Sequence, residues 1–374
     1  MGGEPELRAG PPWAMEEMIA AEPDLCEPIA GARADAARIA EAIAVACDAG
    51  QPVVVTGCGT SEHAAMVVAE LLREARPGPS IFTRQAFEAA LDPAAGGVCL
   101  AISHEGETAA TLAAVVAASQ AGAVTALLTA APLSRGARMV DHRFVTPVLD
   151  RSWCHTVGYL SPIIAGGAIA SALGGATLDG AWIKERLREI LATQETAEGL
   201  GGALHDVDRL VVVGSGLDRI AARELALKIE EGVHVPAVGR DLETELHGHL
   251  VSADERCGLV VIALDPAASD RRAARAADLL RACRRLGMPT TAIVTSGISA
   301  AWPDPLTSVG RLVLPAPSPA GRVAASLSAA TDAAVALQLL AVGLIHAAGT
   351  NPDLIRREDA AYREAAALAD PAAG

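Results

Sequence analysis

The chain has 374 residues, a length that accommodates two domains of ordinary size, each with its own core. Its formal net charge is −15, and an acidic surface repels the phosphates of nucleic acids and of anionic lipids. Composition therefore argues against a nucleic-acid or membrane partner. Apolar residues make up 51% of the chain and aromatic residues only 2%, so we expect cores built mainly from Ala, Val, Leu and Ile.

The cysteines and the apolar stretches bear on where the protein resides. Seven cysteines occur, an odd number with no Cys-x-x-Cys pair, which favours free thiols in a reducing, cytoplasmic compartment. The N-terminus lacks a basic patch followed by an apolar run, so no signal peptide is expected. Two apolar stretches, 163–178 and 324–348, contain many small residues or are interrupted by polar ones. We interpret them as buried helices rather than membrane spans.

The first half of the chain begins with helical spacing and continues with short strands and helices in alternation. Residues 14–48 have helical spacing broken near Pro23 and Pro28, which predicts two helices leading into the first domain. The next predicted elements are strands at 52–56, 80–83, 98–102 and 124–128 and helices at 61–76 and 108–121. Such an alternation indicates a parallel sheet covered by helices on both faces.

The second half repeats this order. The predicted elements are strands at 210–213, 259–263 and 290–294 and helices that end near 231 and 286. Glycine-rich strand ends at Gly57 and Gly214 indicate an internal duplication. We therefore expect an α/β fold with two tandem, doubly wound parallel-sheet domains of flavodoxin-like type. The expected divisions are an N-terminal helical lead-in at 1–48, a first domain at 49–190, a linker within 175–205, a second domain at 205–348 and a C-terminal tail at 349–374.

Two loops in the first half are candidate anion-binding sites, because each follows a predicted strand and opens a helix. Their residues are Cys58, Gly59, Thr60 and Ser61 in one loop and Ser103, His104, Glu105 and Thr108 in the other. Ligands of open α/β sheets bind at the carboxyl ends of strands, where hydroxyls and free amides at a helix start hold anions. The alternative is that Ser103 and Thr108 only cap a helix.

Two carboxylates fall within the second of these loops. Glu105 would repel a phosphate or face a sugar hydroxyl, whereas Glu107 would point outward or cap the helix. The second half lacks a comparable Ser/Thr loop, since its corresponding strand ends in Ala263-Leu264-Asp265-Pro266. We therefore expect one anion site for the pair of halves.

Acid–base groups concentrate in the second half. Glu224, Lys228 and Glu231 fall on one helical face, and His247 and His249 follow shortly afterwards. A carboxylate beside an imidazole suits proton transfer between adjacent sugar carbons. The alternatives are a solvated salt-bridge face for the helix and a surface loop for the histidines. No third ligand of suitable spacing accompanies the histidines, so no metal site is expected.

Lysine is rare in this chain, which has only Lys184 and Lys228 among its 30 basic residues. Arginine serves equally well as a plain surface cation. It cannot replace an amine that loses its proton or forms a Schiff base. Lys228 is therefore a candidate for such chemistry.

Together these residues resemble the sugar isomerase (SIS) domain family. The stretch Gly57-Cys58-Gly59-Thr60-Ser61 resembles the family's first substrate loop, and Ser103-x-x-Gly106-Glu107-Thr108 resembles its phosphate loop, usually Ser-x-Ser-Gly-x-Thr. The resemblance covers residues 15–365 approximately. It is nearest to double-SIS proteins: the isomerase half of glucosamine-6-phosphate synthase, sugar-amine deglycases, and amino-sugar phosphate deaminases or isomerases.

The resemblance implies a set of site residues. The implied substrate-binding residues are Cys58, Gly59, Thr60, Ser61, Ser103, His104, Glu105, Thr108 and His155. Lys228 and Glu231 match the family's catalytic lysine and the glutamate that moves protons between C1 and C2 of the sugar. His247 matches the histidine that helps to open the sugar ring. That histidine usually reaches the site of the neighbouring subunit, which implies a homodimer with a shared active site.

The chain also departs from the family pattern. Glu105 replaces the second serine of the phosphate loop, and Arg356 or Arg357 stands where the synthase has a C-terminal lysine. No cysteine nucleophile lies near the start of the chain, so glutamine-dependent amination is not expected.

The resemblance implies an enzyme that needs no cofactor and acts on a phosphorylated sugar or amino sugar. The expected reaction is aldose–ketose isomerisation coupled to gain or loss of an amine, as in a deglycase or deaminase. Plain isomerisation is one alternative, and a non-catalytic sugar-phosphate sensor is another. A dinucleotide-binding dehydrogenase is disfavoured, because neither Gly-x-Gly run continues into a complete Gly-x-Gly-x-x-Gly motif.

Overall fold

Two five-stranded sheets, both entirely parallel, organise the chain. The structure is a computed structural model that describes residues 5–78, 80–315 and 321–369. The first sheet contains β1 Val53–Thr56, β2 Ile81–Thr83, β3 Val98–Ile102, β4 Val124–Thr129 and β5 His142–Val145. The second contains β6 Arg209–Gly214, β7 Ala237–Asp241, β8 Cys257–Ala263, β9 Thr290–Thr295 and β10 Gly310–Leu314.

Helices precede, cover and connect the sheets. They are α1 Ala14–Gly31, α2 Arg33–Asp48, α3 Thr60–Ala75, α4 Ala86–Leu91, α5 Ala109–Gln120, α6 Arg135–Met139, α7 Val157–Ala172, α8 Gly180–Leu191, α9 Gln194–Leu204, α10 Asp218–Gly232, α11 Leu242–Leu246, α12 Ser269–Arg285, α13 Ser296–Ala301, α14 Ala325–Ala348 and α15 Ala360–Ala369. A 3₁₀ turn covers His249–Ser252.

The two sheets share one strand order. The first runs β2-β1-β3-β4-β5. The second, read from its opposite edge, runs β7-β6-β8-β9-β10, so the two orders are the same when each sheet is numbered from its own first strand. This confirms the predicted α/β class with two doubly wound parallel sheets. The strand order reverses between β1 and β3, and again between β6 and β8. Each reversal leaves a crevice at the carboxyl ends of the two strands, where ligands bind in open α/β sheets.

The N-terminal lead-in consists of two helices, as predicted, but the expected position of the break is wrong. Helix α1 continues through Pro23 and Pro28, and the interruption falls at Ala32. A proline within a helix costs about 3 kcal/mol or more. The buried face of α1, which includes Ile19 and Ile29, packs against α7 and α8. Burial of this face favours one continuous helix over a break at either proline.

Both apolar stretches contribute buried helices. Helix α14 is long and apolar enough to cross a membrane by length and composition, but its most apolar window is 100% buried within the protein. Helix α7 is buried along most of its length and ends at Ala172, earlier than the predicted 178. The prediction of buried helices is therefore confirmed. The expected linker at 175–205 holds α8 and α9, which pack against α1 and α14.

The segment expected to be a C-terminal tail folds back on the start of the chain. The carboxylate of Asp353 accepts hydrogen bonds from the backbone N–H groups of Ala14 and Met15, at 2.8 and 2.9 Å. These are free donors at the start of α1, so a buried carboxylate there satisfies them. The backbone carbonyl of Asp353 also accepts a hydrogen bond from the N–H of Trp153 at 2.9 Å. Residues near 353 thus connect the N-terminal helix with the segment that follows β5.

Candidate active site

The two Ser/Thr loops lie side by side at the first crevice. Strands β1 and β3 are paired, with Val55 opposite Leu100, so the loops that follow them leave the sheet at the same edge. The Ser103 and Thr108 hydroxyls are 3.2 Å apart. Thr108 is the residue before α5, yet its side chain makes no capping hydrogen bond. The capping alternative is therefore wrong for Thr108, and its hydroxyl faces Ser103.

Glycine sets the shape of the second loop. Gly106 has φ +67°, and a Cβ at this position would collide with the side chain of Ser134. A residue other than glycine would therefore be strained in both backbone conformation and space. Glu107 points away, because its carboxylate accepts a hydrogen bond from the backbone N–H of Arg135 at 2.7 Å, at the start of α6. Glu105 is half-buried and remains in the loop.

The first loop places a thiol and three small residues at the end of β1. The Cys58 side chain contacts Gln85 and Thr111, with sulfur distances of 3.7 and 3.8 Å. Burial raises the pKa of Cys58, which keeps it a thiol and disfavours a nucleophilic role. Gly59 is exposed with φ +55°, and Ser61 is half-buried in the first turn of α3.

The Glu224, Lys228 and Glu231 side chains on α10 form a largely buried cluster. Glu224 and Lys228 are 0% exposed and the Glu231 side chain is 21% exposed. The Lys228 ammonium lies 2.6 Å from the Glu231 carboxylate and 3.5 Å from the Glu224 carboxylate. A solvated salt-bridge face is therefore the wrong description of this helix.

The groups packed around Lys228 determine its protonation state. Burial alone would lower its pKa, but Glu231, Cys154 and Glu224 outweigh that effect and raise the pKa above its usual value. Lys228 is thus a protonated ammonium at neutral pH. A Schiff base requires a neutral amine, so this environment disfavours covalent chemistry at Lys228.

Glu224 connects this cluster to the first loop. Its Oε1 accepts a hydrogen bond from the Thr60 hydroxyl at 3.1 Å, and its Oε2 lies 2.7 Å from Nδ1 of His63. Burial opposes ionisation of Glu224, yet Lys228, His63 and Thr60 more than offset burial and lower its pKa. Sequence reasoning did not identify His63. The available signal was its place in the first turn of the helix that opens after the loop.

The predicted substrate residues His104 and His155 lie next to one another beyond β3. Their ring centroids are 5.3 Å apart, and Nε2 of His104 accepts a hydrogen bond from the backbone N–H of Asp150 at 2.7 Å. Burial, with a contribution from His155, lowers the pKa of His104 to about 4, so it is neutral at physiological pH. The Asp150 carboxylate accepts a hydrogen bond from the Thr156 N–H at 2.7 Å and so orders the segment that carries His155.

Among the described residues, no hydrogen bond or ion pair joins His247 to the α10 cluster. Its side chain is 75% exposed at the end of α11, with Nε2 3.1 Å from Glu243. Glu243 in turn pairs with Arg275 at 2.6 Å. A role for His247 in catalysis therefore requires a neighbouring subunit, and that role stays a prediction.

The second crevice contains carboxylates of the chain itself. Asp265, after β8, accepts a hydrogen bond from the Leu217 N–H at 2.8 Å, at the start of α10, and pairs with Arg272. Asp218 accepts hydrogen bonds from the backbone N–H groups of Leu264 and Asp265 at 2.9 and 3.0 Å. Burial raises the pKa of Asp218 to about 7. Because side-chain carboxylates take the N–H groups that an anion would use, this arrangement favours an anion site in the first half alone.

Comparison with known proteins identifies part of the chain by sequence. Residues 49–173 match the family described as SIS domain. A glutamine–fructose-6-phosphate aminotransferase (isomerizing) of Halobacterium salinarum is 28% identical over 275 residues, which is 67% of this chain and 45% of that protein. The corresponding protein of Zymomonas mobilis is 27% identical over 230 residues, covering 56% of this chain and 37% of that protein. The chain thus spans less than half the length of these curated relatives.

Solved structures share the fold over nearly the whole chain. The C-terminal domain of glucosamine-fructose-6-phosphate aminotransferase from Francisella tularensis aligns with a TM-score of 0.79 at 19% identity, covering 93% of this chain and 99% of that one. Tagatose-6-phosphate ketose/aldose isomerase from Escherichia coli aligns with a TM-score of 0.74 at 19% identity, covering 91% of this chain and 95% of that one. By sequence, residues 49–173 are therefore similar to SIS domains, and the chain shares its fold with the solved C-terminal domain of the Francisella tularensis aminotransferase.

Proposed function

We propose that this protein is an enzyme that moves a proton between C1 and C2 of a phosphorylated sugar or amino sugar. Glu231 acts as the base, and the Lys228 ammonium assists it by stabilising negative charge that develops on the substrate. Ser103, Thr108 and the amides of their loop hold the phosphate. Thr60 and Ser61 contact the other end of the sugar.

The observation that carries this proposal is the contact between the two halves at Glu224. This buried carboxylate touches Thr60 of the first-half loop and Lys228 of the second-half cluster, at 3.1 and 3.5 Å. This contact supports a single site that combines the acid–base groups with the hydroxyl of Thr60. The lysine enclosed between two carboxylates next to these hydroxyls supports catalysis over binding alone.

We further propose that the reaction gains or loses an amine at these carbons, as in a deglycase or deaminase. The similarity to proteins described as glutamine–fructose-6-phosphate aminotransferases supports this assignment. Plain aldose–ketose isomerisation is the second candidate. It is favoured by the likeness to a structure described as a tagatose-6-phosphate ketose/aldose isomerase.

The organisation proposed for the whole chain is a pair of SIS domains. The shared strand order of the two sheets supports a duplication, with the second half at about 205–348 retaining the fold without the anion loop. We also propose a homodimer in which His247, exposed in the single chain, approaches the site of the neighbouring subunit.

A thermal-unfolding screen tests the proposal directly. The ligands are fructose 6-phosphate, glucose 6-phosphate and glucosamine 6-phosphate, with the unphosphorylated sugars and inorganic phosphate as comparisons. A ligand that binds only the folded state stabilises it by about 2.7 kcal/mol at a concentration one hundred times its dissociation constant. We expect stabilisation by a phosphorylated sugar and none by its unphosphorylated form.

Deuterium incorporation at C1 or C2 in D₂O then separates an enzyme from a sensor. Exchange or conversion of the stabilising sugar supports catalysis. Tight binding with no exchange over hours would identify a sensor. Absence of any shift with every phosphosugar would contradict the proposed function.

Replacing Gly106 tests the loop itself. We expect Gly106→Ala to weaken phosphosugar affinity about tenfold or more, a change of about 1.4 kcal/mol. The variant must adopt φ +67° and displace Ser134, which distorts the amides around the anion. Calorimetric titration measures the affinity.

Gly122 provides a matched control for this substitution. It has φ +84° with no atom within 4 Å of an added Cβ, so Gly122→Ala introduces similar backbone strain without the collision. Its phosphosugar affinity should equal that of the wild type. Equal losses in both variants would show that general strain, and not the loop, controls binding.

A further inference from the structure

A histidine that the proposed chemistry has not yet used lies beside the cluster. His63, in the first turn of α3, has a side chain that is 15% exposed, with Nδ1 2.7 Å from Oε2 of Glu224. In the described part of the chain, Nε2 makes no hydrogen bond and is not an enclosed atom. The ring is therefore fixed at one nitrogen and accessible at the other.

The partner of Nδ1 determines which nitrogen can act as a base. Glu224 also accepts a hydrogen bond from the Thr60 hydroxyl and lies 3.5 Å from the Lys228 ammonium. Both neighbours favour the ionised form of the Glu224 carboxylate. An ionised carboxylate only accepts hydrogen bonds, so Nδ1 of His63 carries the proton that they share. With Nδ1 held by Glu224, Nε2 is the ring nitrogen whose lone pair is free to take a proton. A carboxylate that orients an imidazole in this way is a recurrent arrangement in acid–base catalysis.

We propose that His63, oriented by Glu224, opens the sugar ring within a single chain. This assignment rests on the proposed function and replaces the role that the family resemblance gives to His247. Nε2 takes the proton of the anomeric hydroxyl while the carbonyl forms. The bond between the anomeric carbon and the ring oxygen breaks, and the ring oxygen keeps its electron pair. The imidazolium then returns the proton to that oxygen, so no net proton is gained or lost.

The position of His63 suits this role better than that of His247 in one chain. His63 follows Thr60 and Ser61 by one turn at most, so it belongs to the loop proposed to hold the sugar. His247 is 75% exposed and contacts Glu243 instead. Ring opening by His63 needs no second subunit, whereas ring opening by His247 does.

Anomer interconversion measures ring opening apart from isomerisation. Exchange between the α and β forms of glucose 6-phosphate and of glucosamine 6-phosphate is followed by magnetisation-transfer NMR with the full chain. We expect the wild type to accelerate this exchange and His63→Gln to lose about 100-fold or more of the acceleration, the usual contribution of a general acid–base group. His205→Gln, on an exposed histidine paired with Asp206, should behave as the wild type.

A loss caused by misfolding is distinguished by two further measurements. His63→Gln should keep its unfolding transition and its phosphosugar-induced stabilisation. Added imidazole should partly restore exchange in His63→Ala, because a free imidazole can enter the space of the missing ring. Failure of imidazole to restore exchange in a folded, ligand-binding His63→Ala would contradict the proposal.

The outcomes also separate this inference from the proposed function. Undiminished exchange in His63→Gln, or a loss in His247→Gln alone, would overturn the role of His63 while isomerisation by the wild type still supports the enzyme. Exchange that depends on His63 in a protein that never isomerises the sugar would sustain ring opening and reject the C1–C2 proton transfer. A wild type that does not accelerate anomer exchange would overturn the role of His63.

Discussion

Replacing Glu231 with glutamine is expected to reduce turnover about 100-fold or more while phosphosugar binding persists, because a general base contributes about 10²–10⁴ to the rate. Glutamine preserves the size of the side chain and an oxygen for Lys228, which lies 2.6 Å from the Glu231 carboxylate. It cannot accept a proton from carbon. The measurements are steady-state conversion and deuterium incorporation at C1 and C2.

The anomer-exchange assay refines this expectation. Glu231→Gln should still open the ring, so it should retain anomer exchange while losing isomerisation. The matched control is Glu230→Gln on the same helix. The Glu230 side chain is exposed, and its carboxylate accepts a hydrogen bond from the backbone N–H of Ala237 at 3.3 Å. Full activity of Glu231→Gln would assign the base to another residue, and equal losses in both variants would indicate damage to α10.

The interior strands were predictable from sequence because they consist mainly of apolar and β-branched residues. Strand β3 was predicted with its observed ends, 98–102, and β1, β4 and β9 to within one residue. Strands β5, β7 and β10 were not predicted. All three lie at sheet edges, where one side of the strand has no neighbour and polar residues are tolerated. The segment His142–Val145, for example, has only one fully buried residue, Phe144.

The candidate site was predictable in its parts but not in its connections. Loop motifs and helical spacing were enough to propose Thr60, Ser103, Thr108, Lys228 and Glu231 as candidates. The link between Glu224 and His63 joins residues 161 positions apart, and no local pattern contains such a pairing. The charge of Lys228 was equally hidden, because it depends on how closely the two carboxylates approach a fully buried amine.

The largest expected loss of stability follows from removing one partner of a buried ion pair between α8 and α14. The side chains of Arg186 and Asp332 are each 5% exposed and are joined by hydrogen bonds of 2.6 to 3.1 Å. Asp332→Ala leaves a buried guanidinium whose remaining partners are the carbonyl of Pro315, at 2.7 Å, and the exposed carboxylate of Glu189, at 3.6 Å. Breaking a buried pair in this way costs about 3–5 kcal/mol. Urea unfolding should show a lower midpoint with an unchanged slope.

The same helix offers a control that separates burial from the mere loss of an ion pair. Glu185 pairs with Arg188 on the surface of α8, with side chains 67% and 49% exposed, so Glu185→Ala should change stability by less than about 1 kcal/mol. The double variant Arg186→Met, Asp332→Leu removes both charges and should lose less stability than Asp332→Ala, because no ion is left without a partner. Equal losses of unfolding free energy in Asp332→Ala and Glu185→Ala would contradict the prediction. They would mean that water reaches Arg186 because α8 and α14 separate more easily than their packing indicates.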